Sequence, residues 1–239
     1  MSRNHLLGAA CLEIPGVTVA FTGVGSPMTQ TIGLGMNGPV PASTLNEIEA
    51  FYRSHGSATT IHVCPLADPS LIDLLGARAY RITEFNNVLA RTADLPPSEI
   101  TADVRIADAA NATSWATVIC EGFFENVQIT TEAIEMTSLL FEMPGAIPWI
   151  ACVDGEPAAG GGMGIHDGVA NLFGDGTPRR FRRRGLQTNL IRARVRHAAE
   201  RGCDLITAST LPGTPSQLNY ERLGFRVVYT KLVLTREMD

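Results

Sequence analysis

The sequence of 239 residues predicts an α/β protein built from two related parts, on three observations. Segments of alternating or β-branched apolar residues take turns along the chain with segments of helical period, the pattern of mixed strands and helices. Hydrophobic residues make up 45% of the chain and charged residues 18%, which supports a packed core and excludes collagen, coiled coil and wholesale disorder. Finally, residues 79–91 overlay on 224–236 at an offset of 145 residues, with Arg81, Val88, Leu89 and Arg91 matching Arg226, Val233, Leu234 and Arg236. Helix, strand and helix of similar length precede both segments, which points to an internal duplication.

In order, residues 16–23 and 31–35 read as strands and 43–53 as a helix capped by Ser43 or Thr44, with Glu47 placed to complete a capping box. Strand 60–64, helix 70–76 and strand 80–89 come next. The polar, double-proline stretch from Thr92 to Glu99 reads as a linker, dividing residues 1–95 from a second domain of residues 98–239. Beyond it come strand 100–106 and helices 114–124 and 130–141. A hairpin then joins 149–153 to 156–160 through Asp154-Gly155, a pair suited to the positive φ angles of a two-residue turn. The glycine run 160–164 lacks dinucleotide-loop spacing and reads as a strand bulge or a flexible hairpin arm. Strand 168–174 leads into the arginines and then into helix 185–201. There Leu186, Leu190 and Ala193 form one apolar stripe and Ile191, Val195 and Ala198 another, so the helix is covered on two sides, with Arg192 and Arg196 on the solvated face. His197 extends the first stripe and reads as a satisfied core residue. Strand 204–209, a short helix 215–223 ended by a left-handed Gly224, and strand 225–234 complete the chain.

The five cysteines (Cys11, Cys64, Cys120, Cys152, Cys203) show no CxxC pair and no histidine at ligand spacing, so neither a disulfide framework nor a metal is expected, and each reads as a buried thiol. No apolar run reaches the ~20 residues of a membrane span and the N-terminus lacks a secretory core. A cytoplasmic location without a membrane partner is the expectation. Net charge is −5, unevenly spread: residues 1–178 hold 6 basic against 19 acidic side chains, and 179–239 hold 13 against 5. Five arginines crowd into 179–184. Such a cluster points to an anion, whether nucleic acid, phosphate or acidic partner. A pI of 5.6 and only four tyrosines and two tryptophans argue against nucleic acid.

A strand, then Thr177-Pro-Arg-Arg-Phe-Arg-Arg-Arg-Gly-Leu-Gln187, then a helix is a phosphate-site arrangement, because the first amides of a helix are free and its dipole favours anions. One strand further on stands Asn219-Tyr-Glu-Arg-Leu-Gly-Phe225. Together these segments resemble the GNAT superfamily of acyl-CoA-dependent N-acyltransferases. Arg182-x-x-Gly185-x-Gln187 is similar to its R/Q-x-x-G-x-G/A pyrophosphate loop, and Tyr220-Glu-Arg-Leu-Gly-Phe225 to its Y-E-K-L-G-F segment. The resemblance covers residues 98–239, with 1–95 as a degenerate copy. It implies a mixed, mostly antiparallel central sheet flanked by helices, in a tandem of two such folds.

The resemblance further implies an acetyl-CoA-dependent transfer to a primary amine of a small molecule or peptide, by direct attack in a ternary complex, in a monomer or homodimer. Main-chain groups of Asp175, Gly176 and Thr177 would pair with pantetheine amides. Arg182, Arg183, Arg184, Gly185, Leu186 and Gln187 would hold the pyrophosphate, Asn219 would steady the pantetheine arm, and Tyr220 would protonate the departing CoA thiolate. Gln187 departs from the family's glycine or alanine, and no carboxylate occupies Asn171 or Leu172, leaving Asp167, Asp175, His166 and Glu121 as candidate bases. Phe123-Phe124-Glu125 falls where the family admits its acceptor, and the acidic surroundings favour a cationic one. In the first half, Leu75 stands in the place of Tyr220 and Met36-Asn-Gly-Pro-Val-Pro replaces the arginine loop, so CoA binding is not expected there. A catalytically inactive CoA-binding regulatory or scaffold protein is the alternative reading.

Overall fold

The computed structural model describes residues 8–94, 99–124 and 127–238. In chain order the described strands are β1 (Ala10–Ile14), β2 (Val17–Phe21), β3 (Gln30–Ile32), β4 (Thr59–Val63), β5 (Arg81–Thr92), β6 (Asp103–Ile106), β7 (Ala146–Val153), β8 (Glu156–His166), β9 (Val169–Gly176), β10 (Leu205–Thr210) and β11 (Arg226–Arg236). The described helices are α1 (Ala42–Ser54), α2 (Pro69–Ala77), α3 (Ala112–Phe123), α4 (Thr131–Glu142), α5 (Leu186–Glu200) and α6 (Pro215–Arg222). They fall into two compact units, one of residues 1–87 with 229–239, the other of residues 88–228. The division differs from the one expected in the stretch 92–99, of which 95–98 lie outside the described residues. Its physical origin is that β5 and β11 are long strands whose residues divide between the units, β5 after Asn87 and β11 after Val228. The duplication is visible in the element order: β3-α1-β4-α2-β5 recurs as β9-α5-β10-α6-β11, with Thr59, Pro69 and Arg81 opening elements 145 or 146 residues before Leu205, Pro215 and Arg226.

In the first unit the strand order is β1-β2-β3-β4, then the last half of β11, then the first half of β5. The β1–β2 and β2–β3 pairs are antiparallel and β3–β4 is parallel. Residues of β11 lie antiparallel on β4 from Leu232↔Val63 to Arg236↔Thr59. Leu45, Ile48 and Tyr52 on one face of α1 pack with Leu71, Leu75, Ile61, Val63 and Leu234. The Tyr52 hydroxyl reaches the sheet at Thr31 Oγ1, 3.0 Å away. The helix begins one residue before the expected cap: Pro41 is the N-cap and makes no side-chain hydrogen bond, so Ser43 and Thr44 lie inside the first turn. Strand β1, for which no element is expected from the sequence, is held by its hairpin with β2.

In the second unit the strand order from β5 onward is β5-β10-β9-β8-β7-β6. The expected turn at Asp154-Gly155 is present with both φ angles positive, and Asp167-Gly168 repeats it between β8 and β9. Alternate residues of β7 enter opposite cores: Trp149 and Ala151 join the α5 side, Ile150 and Cys152 the side of α3 and α4. The two expected stripes of α5 are buried in the first of these cores. Trp115, fully buried, donates from its indole to the carbonyls of Trp149 (3.0 Å) and Gly161 (3.2 Å), fixing α3 across β7 and β8. Of the cysteines, Cys120, Cys152 and Cys203 are buried as expected. Cys11 is instead exposed and Cys64 half-buried, because Cys11 lies on the solvent side of β1 and Cys64 just past the end of β4. No helix among the described residues is long and apolar enough to cross a membrane.

Helix α3 meets the end of β9 backbone to backbone. A Cβ on Gly176 would stand 2.5 Å from Ile119 Cα, and one on Gly122 would stand 2.5 Å from the Thr177 amide. Main chain cannot give way as a side chain can, so Gly176→Ala is expected to destabilise the protein by about 1–3 kcal/mol, read as a lowered thermal midpoint in the absence of ligand. Truncation after Val228 removes the strand between β4 and β5, and the truncated chain is expected to lose its cooperative melt and to aggregate through the bared edge; a soluble chain with an unchanged melt would show that β11 is dispensable to the first unit.

Candidate active site

The site is built where β9 parts from β10. The two pair in parallel from Val169↔Leu205 to Leu172↔Ala208, yet β9 continues to Gly176 and β10 to Thr210. Residues 173–176 therefore present main-chain groups on the β10 side without a partner strand. On the other side, β9 pairs with β8 through a bulge: Gly162 faces Phe173 and Gly160 faces Gly176, so β9 spends one residue more than β8 over this stretch. Gly174, at φ +67°, takes up the turn. The extra residue re-aims the end of the strand. Ala170 and Leu172 point into the α5 core, strict alternation would point Asp175 away from it, and the bulge brings Asp175 back while turning Gly176 against Ile119.

Asp175 meets two partners there. Its Oδ1 forms an ion pair with Arg194 Nη2 at 2.6 Å, and its Oδ2 accepts a 2.6 Å hydrogen bond from the Tyr220 phenol. Arg194, on α5, is fully buried; it also donates to the carbonyls of Leu190 (3.1 Å) and Gly162 (2.9 Å). Space for this pair comes from Gly161, where a Cβ would lie 2.4 Å from Asp175 Oδ1 and 2.8 Å from Arg194 Nη1. The glycine run lies within β8 opposite the bulge, which β9 carries rather than the run itself, and its glycines clear room for Trp115, the ion pair and Phe173 in turn. Burial, and after it the charge of Asp175, hold the Tyr220 phenol well above its ordinary value of about 10, with Arg194 acting in the opposite sense. Gly224, left-handed as expected at φ +88°, closes α6 so that Phe225 sets its ring 5.0 Å from that of Tyr220.

Beyond β9, Pro178 caps a short 3-10 turn over Arg179–Phe181, and Arg183 (φ +61°) and Gly185 (φ +73°) are both left-handed before α5 begins. A left-handed arginine is an uncommon conformation that costs of order 1 kcal/mol or more and concentrates at ligand-binding turns. Arg183, Arg184 and Gly185 are exposed, and the first amides of α5 have no intrahelical acceptor. Arg180 and Arg184 lie over the ring of Phe181, at 4.8 and 5.8 Å. Arg182 is used differently: its guanidinium donates to the carbonyls of Thr177 (3.0 Å) and Gly122 (3.2 Å), tying the turn to the end of α3. Gln187 bridges to α6, donating to Ser216 Oγ (3.0 Å) and accepting from Asn219 Nδ2 (2.7 Å). Its side chain is thereby drawn to one side of the helix end.

Asp175, Gly176, Thr177, the turn 182–187, Asn219 and Tyr220 are thus gathered around one end of β9. Of the candidate bases, His166 ends β8 and Asp167 opens the turn into β9, both almost fully exposed, with the ~23 Å length of β9 between them and Gly176. Glu121 adjoins the open edge next to Gly122 and pairs with Arg180. Phe123 and Phe124 are exposed at the end of α3, and Glu125 lies outside the described residues. His197 is only half-buried, edge-on to Trp149 at 5.5 Å, and desolvation lowers its pKa. Arg194 is a site residue that the sequence motifs do not mark. The available signal was its place four residues after Leu190 on an apolar stripe, where an arginine requires a buried acid.

The model of the Acetyltransferase (GNAT) family matches residues 114–225. None of the curated proteins matches the sequence. Among solved structures, a GCN5-related N-acetyltransferase from Kribbella flavida is similar over 96% of this chain and 90% of its own, with 17% identity and a TM-score of 0.70. One from Sphaerobacter thermophilus is similar over 93% and 80%, at 14% identity and a TM-score of 0.63. A tandem GNAT protein from the clavulanic acid biosynthesis pathway is similar over 92% and 78%, at 15% identity and a TM-score of 0.66. The chain therefore carries a GNAT-family acetyltransferase domain at residues 114–225, on a fold it shares with GNAT proteins that include a tandem member.

Proposed function

We propose that the 88–228 unit is an acetyl-CoA-dependent N-acetyltransferase acting on a primary amine of a small molecule or peptide. The observation that carries this reading is the open edge of β9 at 173–176, which runs directly through Thr177 into the left-handed turn before α5. An extended, amide-bearing arm such as pantetheine suits the edge as an added strand would. A pyrophosphate suits the turn, where Arg183, Arg184 and Gly185 are exposed, the first amides of α5 have no intrahelical acceptor and the helix dipole favours anions. The residues fit the cofactor, with Gln187 the one departure, and its side chain is held against α6.

Acetyl-CoA supplies the activated acetyl thioester. Main-chain groups of Asp175, Gly176 and Thr177 orient the arm. Asn219, fixed between Gln187 and Arg222, forms part of the wall beside it. Tyr220 donates the proton that the departing thiolate requires; as a phenol held protonated across the physiological range, it is always charged with that proton. The acidic surroundings favour a cationic amine, which must lose a proton before it attacks.

Calorimetric titration of acetyl-CoA and CoA should give binding in the wild type that weakens about tenfold or more (~1.4 kcal/mol) in Arg183→Glu. Absence of binding at millimolar ligand would overturn the reading. Tyr220→Phe should keep CoA binding and lose roughly 10²–10⁴-fold in turnover, and an unchanged turnover across the pH range would remove Tyr220 from the acid role. Binding without transfer to any of a broad amine panel would leave a CoA-binding regulator, the reading favoured by the inward hydrogen bond of Tyr220 to Asp175.

A further inference from the structure

We propose that Asp175 and Arg194 are positioning residues for Tyr220: the buried pair holds the phenolic proton turned into the domain at rest and prevents the phenol from ending the reaction as a lasting phenolate. The inference rests on the acetyltransferase reading above and adds to it how the acid is controlled.

The geometry is specific. Tyr220 is 3% exposed, and its hydroxyl sits 2.6 Å from a carboxylate whose other oxygen is 2.6 Å from a fully buried guanidinium. The groups that act on the phenol are Asp175 from β9 and Arg194 from α5, with the Phe225 ring against its edge. With the O–H directed at Asp175, the outward side of the oxygen carries a lone pair. Donation to sulfur exchanges one acceptor for another: the O–H bond of Tyr220 breaks, the proton passes to the thiolate sulfur, and the electron pair stays on the phenolic oxygen. That oxygen would then be an anion beside the Asp175 carboxylate, with Arg194 as its one compensating charge. The resting state is restored when the oxygen takes up the proton that the attacking amine gives up. Proton count closes, nitrogen to sulfur, with Tyr220 unchanged. It is the phenolate left by that donation, and not the neutral phenol, that accepts the proton given up by the nitrogen once the C–N bond has formed; the proton that a cationic amine loses before attack passes to solvent.

The charges set the direction of each variant's effect. Asp175→Asn removes the anion and leaves Arg194, so the phenolate becomes easier to form. Removing both charges, Asp175→Asn with Arg194→Met, lowers the phenol less, because Asp175 touches the phenol directly at 2.6 Å while Arg194 pairs with the far oxygen of that carboxylate. Tyrosinate ultraviolet absorbance reads this directly, over the ionisation of Tyr52, Tyr80 and Tyr229, which burial also raises. Tyr220→Phe supplies the subtraction. The expected order of the Tyr220 titration is wild type highest, double variant next, Asp175→Asn lowest, with the single variant down by about one to three pH units. In Asp175→Asn the alkaline limb of turnover should fall by the same amount, because an acid is lost as pH rises through its pKa.

A Tyr220 titration unchanged in folded Asp175→Asn, or the reverse order, would overturn the proposal; so would an alkaline limb that stays in place while turnover drops equally at every pH. Should Asp175→Asn fail to fold, the double variant decides alone, since uncharged replacements of a buried pair are commonly tolerated. A wild type that binds no CoA would overturn the acetyltransferase reading while leaving the tyrosinate order to report on the pair.

Discussion

A guanidinium without access to water is the constraint on which the rest of the 88–228 unit depends. Arg194 stays protonated at any working pH, so its burial requires a carboxylate, and removing either partner of such a pair costs about 3–5 kcal/mol. Asp175 can serve only because the bulge at Gly174 turns it inward, and only because Gly161 leaves the volume the pair occupies. The stretch that turns Asp175 inward is also the stretch where β9 leaves β10. One buried charge thus links the strand edge, the bulge and the tyrosine.

The duplication sharpens this. At the 145-residue offset, Glu49 stands where Arg194 stands, and it too is buried, paired with Arg78 and Arg236 and accepting from Tyr80. Both units place an ionised side chain at the same turn of the corresponding helix, with opposite sign. In the first unit the residue matching Tyr220 is Leu75, fully buried in the apolar core. The carboxylate there is met by arginines on β11 and at the end of α2 and by the Tyr80 phenol. The two halves share a frame and differ in the sign of the buried charge and in what stands at the place of Tyr220.

Much of the fold was legible because period and turn chemistry are local. The stripes of α5, the Asp154-Gly155 turn and the left-handed Gly224 each follow from a few adjacent residues. The gathering of Asn219, Tyr220 and the turn 182–187 was legible from two short segments in order. What was not legible depended on distant partners. Arg194 looked like one more arginine in a basic quarter of the chain, and only its stripe position hinted otherwise. Arg182 turned its side chain to the carbonyls of Thr177 and Gly122, since a helix end lay within reach. Pro41 displaced Ser43 and Thr44 from the cap because its fixed φ suits the residue before a first turn. The boundary between units could not be read from a proline stretch when it falls inside β5 and β11, two strands whose residues divide between the units.

The placement of β11 also imposes an order in time. Val63 pairs with Leu232, so the sheet of the first unit waits for residues synthesised long after β4. While the ribosome is still producing the second unit, β4 carries an unpaired edge, and the helices over it cover a core lacking Leu234. Pairing across so long a separation closes slowly, and the nascent chain must stay soluble throughout that interval. The unit that is begun first is the one that is finished last.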